Sequence, residues 1–247
     1  AGLGLVPRIF EVYVAQALRH GTAGSNLWTP IVVTSRSEVF DGVRLKPGQT
    51  VAVLRGAAAP LLSCERVTLN LLQRLSGIAT LTRQYVETIK DLPVRLLDTR
   101  KTAPGMRALE KYAVTCGGGH NHRADLSDAI LIKNNHIRLA SGVKEALARA
   151  QARRRPEQQI EIEVRTPEEL TLALEAGADR LLLDNMTTEQ VRAALAEVNG
   201  RVPVEISGGV RLATLRAYAE TGAQFISVGA LTHSAPAVDF SMRIIPV

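Results

Sequence analysis

Arg100, Lys101, His122, Arg123, Lys133, Glu163 and Asp184 are the side chains of this 247-residue chain whose types and spacing suit chemistry. Several lie in or at the end of a short apolar run: VRLLDTRK (94–101), AILIK (129–133), IEIEV (160–164) and RLLLDN (180–185). Arginine offers a planar fork for a carboxylate or phosphate, and lysine a compact charge. His122, Arg123 and Lys133 gather around GGGHNHR (117–123), whose three glycines let the backbone approach a ligand closely. For this segment anion binding ranks first and a flexible loop second. Metal ligation by His120, His122 and His136 ranks third, because HNH is not the helix-spaced histidine pair of zinc hydrolases. Glu163 and Asp184 can hold sugar hydroxyls, bind Mg²⁺ directly or through water, or stabilise a developing positive charge. The structural alternative for these acids is a salt bridge toward Lys133, and for Asp98 it is neutralising Arg100 and Lys101 at the surface.

These groups need elements to bring them together. Apolar runs of this length between helical segments read as buried strands of a parallel sheet. Six recur from residue 94 onward, ending with VPVEISGG (202–209) and FISVGA (225–230). Strand–helix repeats of this kind close into barrels whose C-terminal strand ends carry the chemistry. Six strands do not demand an eight-fold barrel, so an open or irregular one is expected. Helical connectors are expected at 108–113, 142–153, 167–175, 188–198 and 212–221. Those near 167 and 188 begin with Thr followed by Glu in the first turn, which satisfies orphan backbone donors. Glycine turns at Ser207-Gly208-Gly209 and Ser227-Val228-Gly229-Ala230 end successive strands, a pattern that cradles phosphate.

The first 60 residues differ. The stretch 6–18 can be a helix or a helix entering a strand, 21–25 is a turn-rich break, and 28–33 and 51–54 read as strands of a small antiparallel sheet. Asp41-Gly42 and Pro47-Gly48 supply turn chemistry between them. From Ser63, a candidate cap, to Ile89 the pattern reads as one or two helices, interrupted at Gly77.

A formal charge of +6 invites a nucleic-acid reading. The one dense cluster, Arg153-Arg154-Arg155, is explained by a helix end, and the other notable cations sit at strand ends or glycine turns, which favours a small anionic substrate over a polymer. No run of roughly 18 apolar residues is available for a membrane span. Cys64 and Cys116 have no metal-type spacing, read as small buried hydrophobes, and fit a reducing cytoplasm. The chain starts at Ala1 without Met, and residues preceding it are expected.

Seven segments together resemble the quinolinate phosphoribosyltransferase family, also called nicotinate-nucleotide pyrophosphorylase (carboxylating). They are ERVTLNLLQRLSGIAT (65–80), DTRKTAPGMRALEKYAV (98–114), GGGHNHR (117–123), DAILIKNNHI (128–137), LLLDNM (181–186), EISGGV (205–210) and ISVGALTHSAPAVDFSM (226–242). Residues 20–38 match least clearly. The resemblance implies an α/β protein: an N-terminal α/β sandwich (1–92, rejoined by 235–247) packed on an open, irregular TIM-like α/β barrel (93–234). It implies transfer of phosphoribosyl from phosphoribosyl pyrophosphate to quinolinate with decarboxylation, giving nicotinate mononucleotide, pyrophosphate and CO₂ in NAD biosynthesis. The expected cofactor is Mg²⁺, held through pyrophosphate and waters near Glu163 and Asp184. The expected assembly is a cytoplasmic homodimer with a shared site, or a higher oligomer, with neither nucleic acid nor membrane as partner.

By motif position, Arg66 would be the arginine donated across subunits. Arg100, His122, Arg123 and Lys133 would bind quinolinate, with Thr99 beside them and Lys101 on the pyrophosphate side. Lys101, Lys133, Glu163 and Asp184 would be catalytic, and Ser207, Gly208, Gly209, Ser227, Val228, Gly229 and Ala230 would hold the 5′-phosphate. Asn134 stands where Asp is frequent, and Ile206 where a small residue is frequent; neither removes a ligand. Alternatives are a related transferase acting on another acid such as nicotinate, a Schiff-base aldolase using Lys133, and a basic nucleic-acid-binding module.

Overall fold

The computed structural model describes residues 1–19 and 34–246. They form two units, Ala1–Thr80 with Ala235–Val247, and Leu81–Ser234.

In the first unit, α1 (Leu5–Arg19) is helical throughout, which settles the stretch that the sequence left open. β1 (Thr34–Ser37) pairs antiparallel with β2 (Ala52–Arg55), Thr34 opposite Arg55. Gly42 and Gly48 take φ of +89° and +74° in the turns between them, a backbone region open to glycine. The expected strand at 28–33 and break at 21–25 lie outside the described residues. Leu3, Val6 and Phe10 pack with Leu61, Cys64 and Leu72, flanked by Val51, Leu54 and Phe240.

α2 (Ala58–Ile89) is a single helix of 32 residues that starts before Ser63, so Ser63 is an exposed residue inside the helix and not its cap. Gly77 does not interrupt it either. A Cβ there would run into the carbonyl oxygen of Pro236, so the glycine makes room for the C-terminal segment. That segment is tied down by Val238 N–H to Gln73 O at 3.1 Å and Gln73 Nε2 to Phe240 O at 3.2 Å.

The second unit continues with β3 (Arg95–Leu97), α3 (Arg107–Cys116), β4 (Ile130–Ile132), α4 (Asn134–Ala140), α5 (Val143–Gln151), β5 (Ile160–Val164), α6 (Pro167–Glu175), β6 (Arg180–Asp184), α7 (Thr188–Val198), β7 (Val204–Ser207), α8 (Leu212–Ala219), β8 (Phe225–Ser227) and α9 (Ala230–His233). Among the described residues the strands form a parallel sheet in the order β3-β8-β7-β6-β5-β4. β3 and β4 do not pair. The sheet is nevertheless rolled, because His122, in the loop bridged to β3 through Leu97 and His120, reaches Glu161 on β5 and Glu205 on β7. This is an open α/β barrel.

The caps read from the sequence form as expected. Thr166 Oγ1 accepts Glu169 N–H at 3.2 Å, and Thr187 with Gln190 makes a reciprocal box at 3.3 and 2.8 Å. α4 is not apparent from hydrophobic periodicity, since NNHIRLA is short and polar; it starts where Lys133 N–H donates to His136 Nδ1 at 2.9 Å. His136 is thus a capping group. The strands are not apolar on both faces. Ile160, Ile162 and Val164 are fully buried, whereas the alternating Glu161 and Glu163 give the barrel a polar interior. Cys64 is buried as expected, and Cys116 only half so.

Candidate active site

The C-terminal strand ends form the rim. Arg100 and Lys101 follow β3, Lys133 follows β4, Glu163 is the penultimate residue of β5, and Asp184, Ser207 and Ser227 end β6, β7 and β8. Asp184 is in register with Ser207, and Ser227 Oγ donates to Ser207 Oγ at 3.0 Å. Gly208, at φ +88°, has no room for a Cβ, which would sit 2.8 Å from Asn185 N. At the next turn a Cβ on Gly229 would lie 3.0 Å from Lys101 Cδ, so the Lys101 stem runs along this glycine. Thr232 Oγ1 fixes the Lys101 carbonyl at 2.8 Å, and Thr99 Oγ1 accepts Lys101 N–H at 3.1 Å. Val228 is buried and its N–H is committed to Leu97 O at 3.0 Å, while Ala230 opens α9.

Glu163 and Asp184 converge on a residue that the sequence reading passed over. Arg165 Nη2 lies 3.0 Å from Glu163 Oε1 and 2.8 Å from Asp184 Oδ2. The hydrogen bond that Arg165 donates to Asp184 raises the arginine's pKa further. The two acids therefore pair with Arg165 and not with Lys133. Its place directly after β5, where a barrel strand meets its loop, was the available signal. Lys133 is exposed at the start of α4.

Arg100 and Arg123 bring like charges together. Burial and the Arg100 charge both lower the Arg123 pKa. Arg100 Nε is buried without a hydrogen-bond partner among the described residues, and Arg123 Nη1 donates to Ala129 O at 3.3 Å. A buried guanidinium N–H left unpaired is costly, and an incoming anion would relieve it.

Asp98 does not neutralise Arg100 or Lys101 at the surface. It is fully buried, receives Lys111 Nζ at 2.5 Å and accepts the His122 backbone N–H at 2.8 Å. Apolar burial of β3 carries Asp98 inward with it, and Lys111 on α3 is the cation that meets it. Lys111 also donates to His122 O at 3.0 Å, so the glycine-run loop is clamped by its backbone.

The His122 ring points inward. Its Nε2 lies 3.1 Å from Glu161 Oε2 and 3.4 Å from Glu205 Oε2. Burial alone would lower its pKa, but hydrogen bonds and charge from these two acids push it up to about 9. The Arg123 N–H, 2.7 Å from Nδ1, favours a lone pair there and works the other way. The two anions favour the charged ring, and the amide that donates to Nδ1 favours the neutral one. Below the rim, a cavity of about 290 Å³ opens between His122, Arg123, Arg95, Glu161, Arg180 and Phe225. His122 and Arg123 thus flank the inner cavity rather than the outer edge. Arg66 lies in the other unit, exposed on α2 beside the exposed Leu62 and Val67.

Comparison with known proteins agrees with this architecture. Residues 78–243 match the C-terminal domain of quinolinate phosphoribosyl transferase, and residues 25–76 match its N-terminal domain. The chain is 47% identical over 204 residues to a probable nicotinate-nucleotide pyrophosphorylase (carboxylating) of Bacillus subtilis, covering 83% of this chain and 71% of that protein. It is 42% identical over 209 residues to the nicotinate-nucleotide pyrophosphorylase (carboxylating) of Mycobacterium leprae, covering 83% and 73%. The crystal structure of NadC from Streptococcus pyogenes superposes with a TM-score of 0.86 at 40% identity, covering 98% of this chain and 80% of that one. The chain belongs to the quinolinate phosphoribosyltransferase family.

Proposed function

We infer that this protein transfers phosphoribosyl from phosphoribosyl pyrophosphate to quinolinate with decarboxylation, forming nicotinate mononucleotide, pyrophosphate and CO₂. Beyond family membership, one observation carries the reading: the Arg100–Arg123 pair, two cations held close with a buried N–H unpaired. A pyridine with adjacent carboxylates supplies two negative charges to such a pair, where a monoacid supplies one.

In this reading Arg100, Arg123 and Lys133 hold the diacid while Lys101, alongside Gly229, faces the pyrophosphate. Ribosyl transfer develops positive charge on the sugar, and Glu163 and Asp184 stabilise it. Their oxygens already converge on a cation, Arg165, and are hard donors of the kind magnesium prefers. They would hold Mg²⁺ through water, and the ion would neutralise the departing pyrophosphate. Once N-glycosylated, the positively charged ring nitrogen stabilises the electron pair left on C2 as the 2-carboxylate departs as CO₂, and a proton from water then forms the C2–H bond, so CO₂ loss follows transfer. The glycine turns at Gly208 and Gly229 receive the 5′-phosphate.

A homodimer with a shared site, to which Arg66 contributes, belongs to the same reading and is supported by the exposed Leu62 and Val67 beside Arg66. A cytoplasmic location is supported by the two free cysteines, Cys64 and Cys116. Among the described residues, no helix is long and apolar enough to cross a membrane.

The test is to incubate the protein with Mg²⁺, phosphoribosyl pyrophosphate and quinolinate and to identify the nucleotide and gas. Nicotinate mononucleotide with equimolar CO₂ supports the assignment; turnover of nicotinate without CO₂ overturns it. Recovery of activity on mixing Arg66→Ala with Lys133→Ala protein supports the shared site, and no recovery under subunit exchange counts against it.

A further inference from the structure

Beneath the loop that carries His122 and Arg123 lies a buried ionic cluster with no assigned role. Glu161 on β5 and Glu205 on β7 are 4% and 1% exposed. Both face His122, and both also meet Arg180 on β6, whose Nε is 3.0 Å from Glu161 and whose Nη2 is 2.5 Å from Glu205. The Arg180 guanidinium lies over the Phe225 ring, 3.8 Å from its centroid. Burial pushes the Glu205 carboxyl up, yet His122, Arg180 and Ser227 hold it below the ordinary range.

The cluster joins three adjacent strands to one loop. With His122 charged it contains two cations and two anions, so it is balanced where water cannot screen an excess. His122, Glu161 and Glu205 present ligand atoms within 4.8 Å of one another, a spacing a metal could use. Arg180 already supplies the positive charge there. The carboxylates are too deeply buried to meet a substrate at the rim, so their influence passes through the imidazole.

We propose that Glu161, Glu205 and Arg180 are positioning residues for diacid recognition: they set the orientation and charge of the His122 ring, and with it the loop from which Arg123 reaches the substrate. The proposal rests on the functional reading above and adds three residues that act through the His122 ring. The His122 backbone is held separately by Asp98 and Lys111. Removing an acid from the cluster therefore disturbs the ring while leaving the backbone clamp in place.

The experiment compares wild type with Glu161→Gln and Arg180→Lys. The first readout is ¹⁵N NMR of the His122 ring in the free protein, assigned by its disappearance in His122→Gln. The expected result is an imidazolium in wild type at pH 7.5, and a titration midpoint lowered by about one pH unit or more in Glu161→Gln, as loss of one close anion implies. The second readout is steady-state kinetics. Quinolinate KM should rise about 10-fold or more, with kcat and the phosphoribosyl pyrophosphate KM within about two-fold of wild type. Unchanged His122 signals and quinolinate KM overturn the proposal, as does a uniform loss of all kinetic parameters with a matching fall in melting temperature. If Glu161→Gln does not fold, Glu205→Gln, which removes the other close anion, carries the same readouts. If wild type makes no product from quinolinate, the functional reading fails, while the NMR arm still judges the link between the cluster and His122.

Discussion

Asp98 and Lys111 form an ion pair 2.5 Å long in which neither side chain is more than 5% exposed. The same carboxylate oxygen accepts the His122 backbone N–H, so one buried pair joins β3, α3 and the loop of the candidate site. Asp98→Ala leaves the Lys111 ammonium buried without its anion. A loss of about 3–5 kcal/mol is expected from breaking one side of such a pair, measured by urea unfolding. A loss under about 1 kcal/mol, the range of exposed pairs, would mean that water reaches the site.

The His122 cluster makes stability depend on pH in the alkaline range. The folded-state pKa is pushed up to about 9 from an ordinary 6.5. The folded protein therefore holds this proton more tightly than the unfolded chain does. The contribution is complete below about pH 6.5 and is lost as pH rises through about 9. At most it amounts to about 3 kcal/mol. Unfolding free energies at pH 6 and pH 10 should fall more steeply for wild type than for His122→Gln; parallel slopes would contradict the assignment.

Arg165 is nearly half exposed, so its ion pairs with Glu163 and Asp184 should add about 1 kcal/mol or less to stability. Their value lies in aiming the two carboxylates. Arg165→Ala should leave the melting temperature almost unchanged and lower kcat about 10-fold or more, as expected when a group that orients transition-state charge is lost. Equal kcat in the variant would show that the acids orient without it.

Gly77→Ala tests why a glycine persists inside a long helix. On propensity alone alanine should stabilise by about 1 kcal/mol. Here the new methyl meets the Pro236 carbonyl, which is backbone and cannot rotate away. Destabilisation of about 1–3 kcal/mol is expected, the range for overpacking. A rise in melting temperature would mean that the 235–240 segment yields easily.

The rim was legible in the sequence because each apolar run is short and ends in a polar group. Strand ends at Asp184, Ser207 and Ser227 follow from that pattern, as do the caps at Thr166 and Thr187, since both depend on neighbours within a few residues. Three things depended on partners far along the chain. Asp98 meets Lys111 only because α3 folds back over β3. Glu161 and Glu205 read as interruptions in apolar strands until the rolled sheet turns both inward onto His122 and Arg180. Arg165 gains meaning when β5 and β6 lie side by side and offer it two carboxylates. Local patterning determines where a strand or helix begins and ends, because its hydrogen bonds and caps are local. Which charges share a buried site is decided by tertiary packing, because burial makes an unpaired charge too costly and selects the arrangement in which each finds its counterpart.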